Sequence, residues 1–97
     1  MSERDEISEA ARLIVDTLNL EKAEAQKALR YLYARVALDQ GVLNLVGQQT
    51  RPWGTLLVCQ EPSTGLYYRA ERPSSWTDAA EEQYVLEMRK HLQGDGG

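Results

Sequence analysis

Apolar residues recur at helical spacing up to Gly41 and then change to alternation. Over Ser2–Leu18, Ile7, Ala11, Ile14, Val15 and Leu18 fall on one stripe, with Glu9, Arg12 and Asp16 opposite. Ser2 is placed to cap this first helix, and Asn19 is suited to end it and to cap the next. Leu20–Gln40 contains no Gly, Pro, Ser or Thr and is rich in strong helix formers, which predicts a second helix stopped by Gly41. Its inner stripe is Ala25, Ala28, Leu29, Leu32, Tyr33 and Val36. Tyr31, Ala34 and Leu38 recur on the opposite side among Lys27, Arg30 and Arg35, so that this outer face is more apolar than solvent requires.

Beyond Gly41 the pattern is that of strands. Val42–Gln49 favours extension, with Gly47 marking a bulge or bend. Thr50–Gly54 reads as a turn around Pro52. Thr55–Arg72 then forms a hairpin, closed by Pro62, Ser63, Thr64 and a left-handed Gly65. Pairing Glu61 with Leu66 sets Cys59 against Tyr68 and Leu57 against Ala70. One face then carries Leu57, Cys59, Leu66, Tyr68 and Ala70 towards the core. The other carries Leu56, Val58, Gln60, Tyr67, Arg69 and Glu71. Ser75 opens the last helix with Asp78 three residues on, and Ala80, Tyr84, Val85, Met88 and Leu92 form its stripe. The expected fold is α+β in the order ααβββα: two N-terminal helices, a three-stranded antiparallel β-meander and one C-terminal helix. No linker divides residues 1–97, and frayed tails are expected at residues 1–3 and 93–97.

Composition narrows the function classes. A chain of 97 residues can close one core without disulfides or metal, and with no Phe that core must be built from Leu, Val, Ala, Tyr and Trp. The net charge of −4 opposes a dominant affinity for phosphate backbones or anionic membranes. Residues 77–97 hold five acids and two bases, whereas residues 41–76 hold two acids and three bases, so the hairpin is the least acidic region. No apolar run is long enough to span a bilayer and the acidic N-terminus is unlike a signal peptide, which points to a cytoplasmic protein.

Catalytic groups are few. His91, the single histidine, falls in the last helical turn, where positive charge suits the helix dipole. Cys59, the single cysteine, lies on the expected core face with no histidine near it in sequence, as befits a small buried hydrophobe rather than a nucleophile. Asp78, Glu81 and Glu82 gather where an N-terminal helix dipole favours them. No zinc-type spacing and no phosphate-cradling glycine loop is present, so no enzyme activity, metal or cofactor is expected.

Two binding chemistries remain. Tyr67 and Arg69 on the outer hairpin face, with Arg51, Trp53 and Arg72 near the strand ends, supply rings for stacking bases and cations for phosphates. A long helix ending in QGVLNLVG, then a hairpin returning through YYR into a capped helix, resembles the second half of a winged-helix DNA-binding domain over about Ala28–Leu92. That resemblance implies a recognition helix, a wing and a dimerising final helix. Leu20–Gln40 departs from it in having no turn to divide it into two helices, and its would-be recognition segment includes Asp39.

The leading expectation is a small non-enzymatic protein–protein interaction module: an adaptor, regulatory subunit or inhibitor. It would meet a protein partner, or itself as a homodimer, through Tyr31, Ala34, Arg35 and Leu38 of the second helix and Tyr67 and Arg69 of the hairpin. The alternative is a nucleic-acid-binding regulator of winged-helix-like type or a hairpin-based single-strand binder.

Overall fold

A computed structural model describes residues 3–52 and 54–93. The expected cap Ser2, Trp53 and the tail beyond Gln93 lie outside the described residues. The element order is α1 (Glu3–Leu18), α2 (Lys22–Asp39), β1 (Asn44–Arg51), β2 (Gly54–Gln60), β3 (Tyr67–Glu71) and α3 (Asp78–Gln93). The strands form one antiparallel sheet in the order β1-β2-β3, so the fold is the expected α+β arrangement ααβββα.

Helix ends follow local chemistry. Asn19 takes a left-handed φ of 54° and turns the chain between α1 and α2. At the end of α2 the amides of Val42 and Leu43 donate to the Ala37 carbonyl at 2.9 and 3.2 Å. These bonds hold both residues to the helix end, bury Leu43 and delay β1 to Asn44, two residues after its expected start. The strand then continues beyond Gln49, with Thr50 opposite Thr55 and Arg51 opposite Gly54, so that these residues of the expected turn belong to the strands. At α3 the cap is Thr77 rather than Ser75: its Oγ1 accepts from the Ala80 amide at 3.1 Å.

The β2–β3 register is the expected one, with Cys59 opposite Tyr68, Leu57 opposite Ala70, and the Glu61 amide donating to the Leu66 carbonyl at 2.8 Å. Gly65 has φ +77°, which a side chain would resist, and it closes the turn. Gly47 falls beside the predicted bulge, since Leu45 pairs with Cys59 and Gly47 with Val58, leaving Val46 as the extra residue. Gly54 has φ +150°, and a Cβ there would meet the Arg72 carbonyl oxygen at 3.1 Å; the β1–β2 turn therefore admits no larger residue without strain.

The core centres on α2. Ala28, Tyr31, Leu32, Tyr33, Ala34, Val36 and Ala37 are all buried, a set that runs round the helix instead of along one stripe. α1 packs on α2 and α3 with Ile7, Ala10, Ala11 and Val15, and α3 contributes Val85 and Met88. Trp76 closes the far side, edge-on to Tyr31 with centroids 6.4 Å apart and 4.8 Å from Tyr84. The sheet packs on α2 mainly through β3.

The expectation that Tyr31, Ala34 and Leu38 form an open docking face is thereby corrected. Tyr31 is 2% and Ala34 0% exposed, Leu38 is half-buried, and α3 with Trp76 covers this side within the same chain. Leu66 also departs from expectation: it stands 68% exposed at the hairpin tip.

Two measurements check this packing. Ala34→Leu overfills a helix contact with no free space and should cost about 1–3 kcal/mol in denaturant unfolding, whereas a solvent-facing site would tolerate it. Cys59, fully buried with its thiol pushed up by desolvation, should label slowly in the folded protein and rapidly in denaturant. Rapid native labelling would contradict the register.

Candidate functional site

The residues expected to bind partners or phosphates divide between a buried ionic cluster and an uncovered sheet. Tyr31 and Arg35 lie one helical turn apart on α2, the spacing that sets two side chains on one face. Arg72 leaves the end of β3, and Glu81 stands in the first turn of α3. Folding brings all four together. The Tyr31 hydroxyl donates to Glu81 Oε2 at 2.8 Å, and Arg35 Nη1 pairs with the same oxygen at 3.1 Å. Arg72 Nη1 donates to Glu81 Oε1 at 2.9 Å and to Asp78 Oδ1 at 2.6 Å. Arg35 Nη2 reaches Glu82 Oε1 at 3.4 Å.

The Glu81 side chain is 7% exposed, so this is a buried carboxylate compensated by two guanidinium groups, a phenol and the dipole of its own helix. Arg72, 15% exposed, is turned into this cluster, and its Nε is buried without a partner among the described residues. Its expected role in holding phosphates is corrected: both acids claim its charge. Arg35, expected on a docking surface, is likewise committed to α3.

Tyr31 shows the electrostatics of the cluster. Desolvation pushes its phenol well above the ordinary value, the hydrogen bond to Glu81 raises it further, and Arg35 and Arg72 oppose the shift only in part. A phenol held so firmly protonated is a hydrogen-bond donor, not a base. Sequence reasoning placed Glu81 among the acids that suit a helix N-terminus; its burial was not visible because its partners lie on two other elements.

The sheet is the second feature. Its outer face carries Leu56, Val58 and Gln60, all half-buried, beside exposed Tyr67 and Arg69. Tyr67 is 67% exposed, and no carboxylate pairs with the Arg69 guanidinium among the described residues. The Arg69 backbone carbonyl, in contrast, accepts from Arg30 Nη2 at 2.9 Å, which ties β3 to α2. Arg51 is exposed and donates to Gln49 Oε1 at 2.6 Å. It lies opposite Gly54, six residues along β2 from the Gln60 that faces Tyr67, a separation of roughly 20 Å at strand rise. Of the residues expected to hold nucleic acid, only Tyr67 and Arg69 are neighbours; Trp53 lies outside the described residues. α2 runs unbroken and is buried around its middle, so it offers no exposed recognition helix of the winged-helix kind.

β1 was not singled out by sequence reasoning. Among the described residues it pairs with β2 and with no other strand, and every residue of its eight except Gly47 is exposed. Leu45 and Val46 are 51% and 54% exposed. The helical layer covers β3 and part of β2, so β1 projects beyond it. Beneath the overhang, a groove of about 510 Å³ runs between Leu45, Gln48 and Leu57 and the side of α2 that carries Leu38 and Asp39. The signal that could have found this strand is its composition: NLVGQQTR holds one charge and no interior Pro, unlike protected edge strands.

No helix among the described residues is long and apolar enough to cross a membrane, and no cluster of three or more His, Cys, Asp or Glu side chains is assembled among them to hold a metal ion. No protein-family model matches the chain, and no curated protein or solved structure matches it.

The Tyr31 phenol makes a signed prediction. Because its folded-state pKa is raised, its contribution is fully present below the unfolded value of about 10 and is lost as pH rises through the folded value. Urea midpoints should therefore fall between about pH 8 and about pH 11, and Tyr31→Phe should reduce that fall while costing roughly 1 kcal/mol near neutrality. An unchanged alkaline loss in the variant would assign it to other groups, such as Tyr68, whose phenol is also raised by burial.

Proposed function

We propose that the chain is a small protein–protein interaction module that docks by extending its sheet at β1, with a second copy of itself as the occupant. The observation that carries this reading is the eight-residue strand β1, which lies at the edge of the sheet among the described residues and is exposed at every position but Gly47. An open strand edge presents a row of unpaired N–H and C=O groups that another strand can satisfy. β1 carries few of the usual obstacles: one bulge at Val46 and one charge, Arg51, at its end.

The charge pattern suits a two-fold partner. Antiparallel pairing about the centre of Asn44–Arg51 sets Arg51 opposite the partner's Asn44, so no like charges meet. Leu45 and Val46 would lose water on both copies, at about 25 cal/mol for each Å² of apolar surface removed. The homodimer is thus retained from sequence reasoning, but its surface moves from α2 to β1.

The alternative is a weak single-strand nucleic-acid binder, supported by Tyr67 and Arg69 side by side on the uncovered face. Two residues in a chain of net charge −4 make a small electrostatic footprint.

Light scattering tests the first reading. The wild type should give twice the 11.0 kDa chain mass, and Leu45→Lys with Val46→Lys should give a folded monomer with unchanged circular dichroism. A wild-type monomer at about 100 μM, roughly a hundredfold above a micromolar Kd, would overturn self-pairing. Sub-micromolar oligonucleotide binding at about 200 mM salt would promote the alternative.

A further inference from the structure

Between the hairpin tip, the first half of α1 and the middle of α2 lies a cleft of about 890 Å³. That size is within the range of small-molecule sites, roughly 300–1,000 Å³. Its apolar lining comes from all three elements: Ala11 on α1, Leu29 and Tyr33 on α2, and Leu66 and Tyr68 on the hairpin. Tyr33 and Tyr68 are tilted against each other at 51° with centroids 5.4 Å apart. Leu66 follows the pattern of a core residue and still stands 68% exposed at the mouth. An apolar side chain there gains from burial only if something enters.

The charges around the cleft are not equivalent. Arg4 pairs with Glu61 at 3.2 Å, and Glu61 also accepts from Thr64. Arg30 lies 4.5 Å over the Tyr68 ring, and its guanidinium donates to a backbone carbonyl and to no carboxylate among the described residues. Arg12, exposed and on the lining, makes no ion pair among them. α1 and α2 are packed together and joined across Asn19, and Arg4 and Tyr33 both line the cleft. Arg12 stands about 12 Å further along α1, towards the Arg30 end. One end of the cleft therefore holds an ion pair, and the other holds two cations, with Asp5 and Glu9 as the acids of α1 on the lining.

We propose that this cleft binds a small planar aromatic anion, its ring against Tyr33, Tyr68 and Leu66 and its carboxylate or sulfonate held by Arg12 and Arg30. Charge-assisted bonds from a guanidinium fix such a group, and the tyrosine rings accept a flat apolar body at little entropic cost. The site is independent of β1.

Titration calorimetry with 2-naphthalenesulfonate tests it. The wild type should bind one probe per chain saturably, and Arg12→Glu, on an exposed helix face, should weaken binding tenfold or more with circular dichroism unchanged. Leu66→Asp should also weaken it, while the neutral analogue 2-naphthalenemethanol should bind more weakly to the wild type and respond little to Arg12→Glu. Leu45→Lys with Val46→Lys should leave the affinity unchanged, which separates this site from the β1 reading. Absence of binding at millimolar probe, or binding indifferent to both Arg12→Glu and Leu66→Asp, would overturn the proposal.

Discussion

Burial of α2 around most of its circumference is the constraint from which the rest of the structure follows. A helix that buries Tyr31 and Ala34 on one side and Leu32 and Val36 on another needs a cover on each. α1, α3 and the sheet supply those covers, and Ala28, Ala34 and Ala37 allow close approach. Once α3 lies over the outer side, the Tyr31 hydroxyl and the Arg35 guanidinium are drawn out of water and require partners. Glu81 meets both, and Arg72 balances the second carboxylate oxygen. The ionic cluster is thus a consequence of enclosing α2, and it joins α2, the end of β3 and the start of α3 at one point.

The same enclosure explains why the sheet is exposed where it is. One helix is narrower than three strands: at a strand spacing of about 4.8 Å, a helix about 10 Å across covers two of them. α2 sits on β3 and part of β2, fastened by the Arg30 bonds to the Arg69 carbonyl and by Lys27 with Glu71 at 3.3 Å. β1 is left outside. The two surfaces for which binding is proposed are β1, at the margin of the helical layer, and the cleft between the hairpin tip and α1 and α2. The Glu81 carboxylate is engaged by Tyr31, Arg35 and Arg72, Cys59 is buried, and His91 is exposed in the last turn of α3.

Much of this was legible along the chain, because much of it is local. The order of elements, the β2–β3 register and the left-handed Gly65 each follow from spacing, alternation or turn chemistry within a few residues. The candidate sites were far less legible. Tyr31, Ala34 and Leu38 form an apolar stripe whether another chain or α3 covers it, and periodicity is identical in the two cases. Arg72 resembles any exposed cation in sequence until Glu81 and Asp78, contributed by α3, neutralise it.

What the sequence by itself determined is the set of elements and the faces they turn to one another, since backbone geometry and hydrophobic period act over one or two turns. What only the tertiary structure decided is which of those faces remain free. Leu66 has the alternation of a core residue and is open, while Tyr31 has the setting of a surface residue and is closed. The difference lies in where α3 and the edge of α2 come to rest, a matter of how far each element extends over its neighbours. Exposure is a property of the assembled layers, and no single segment carries it.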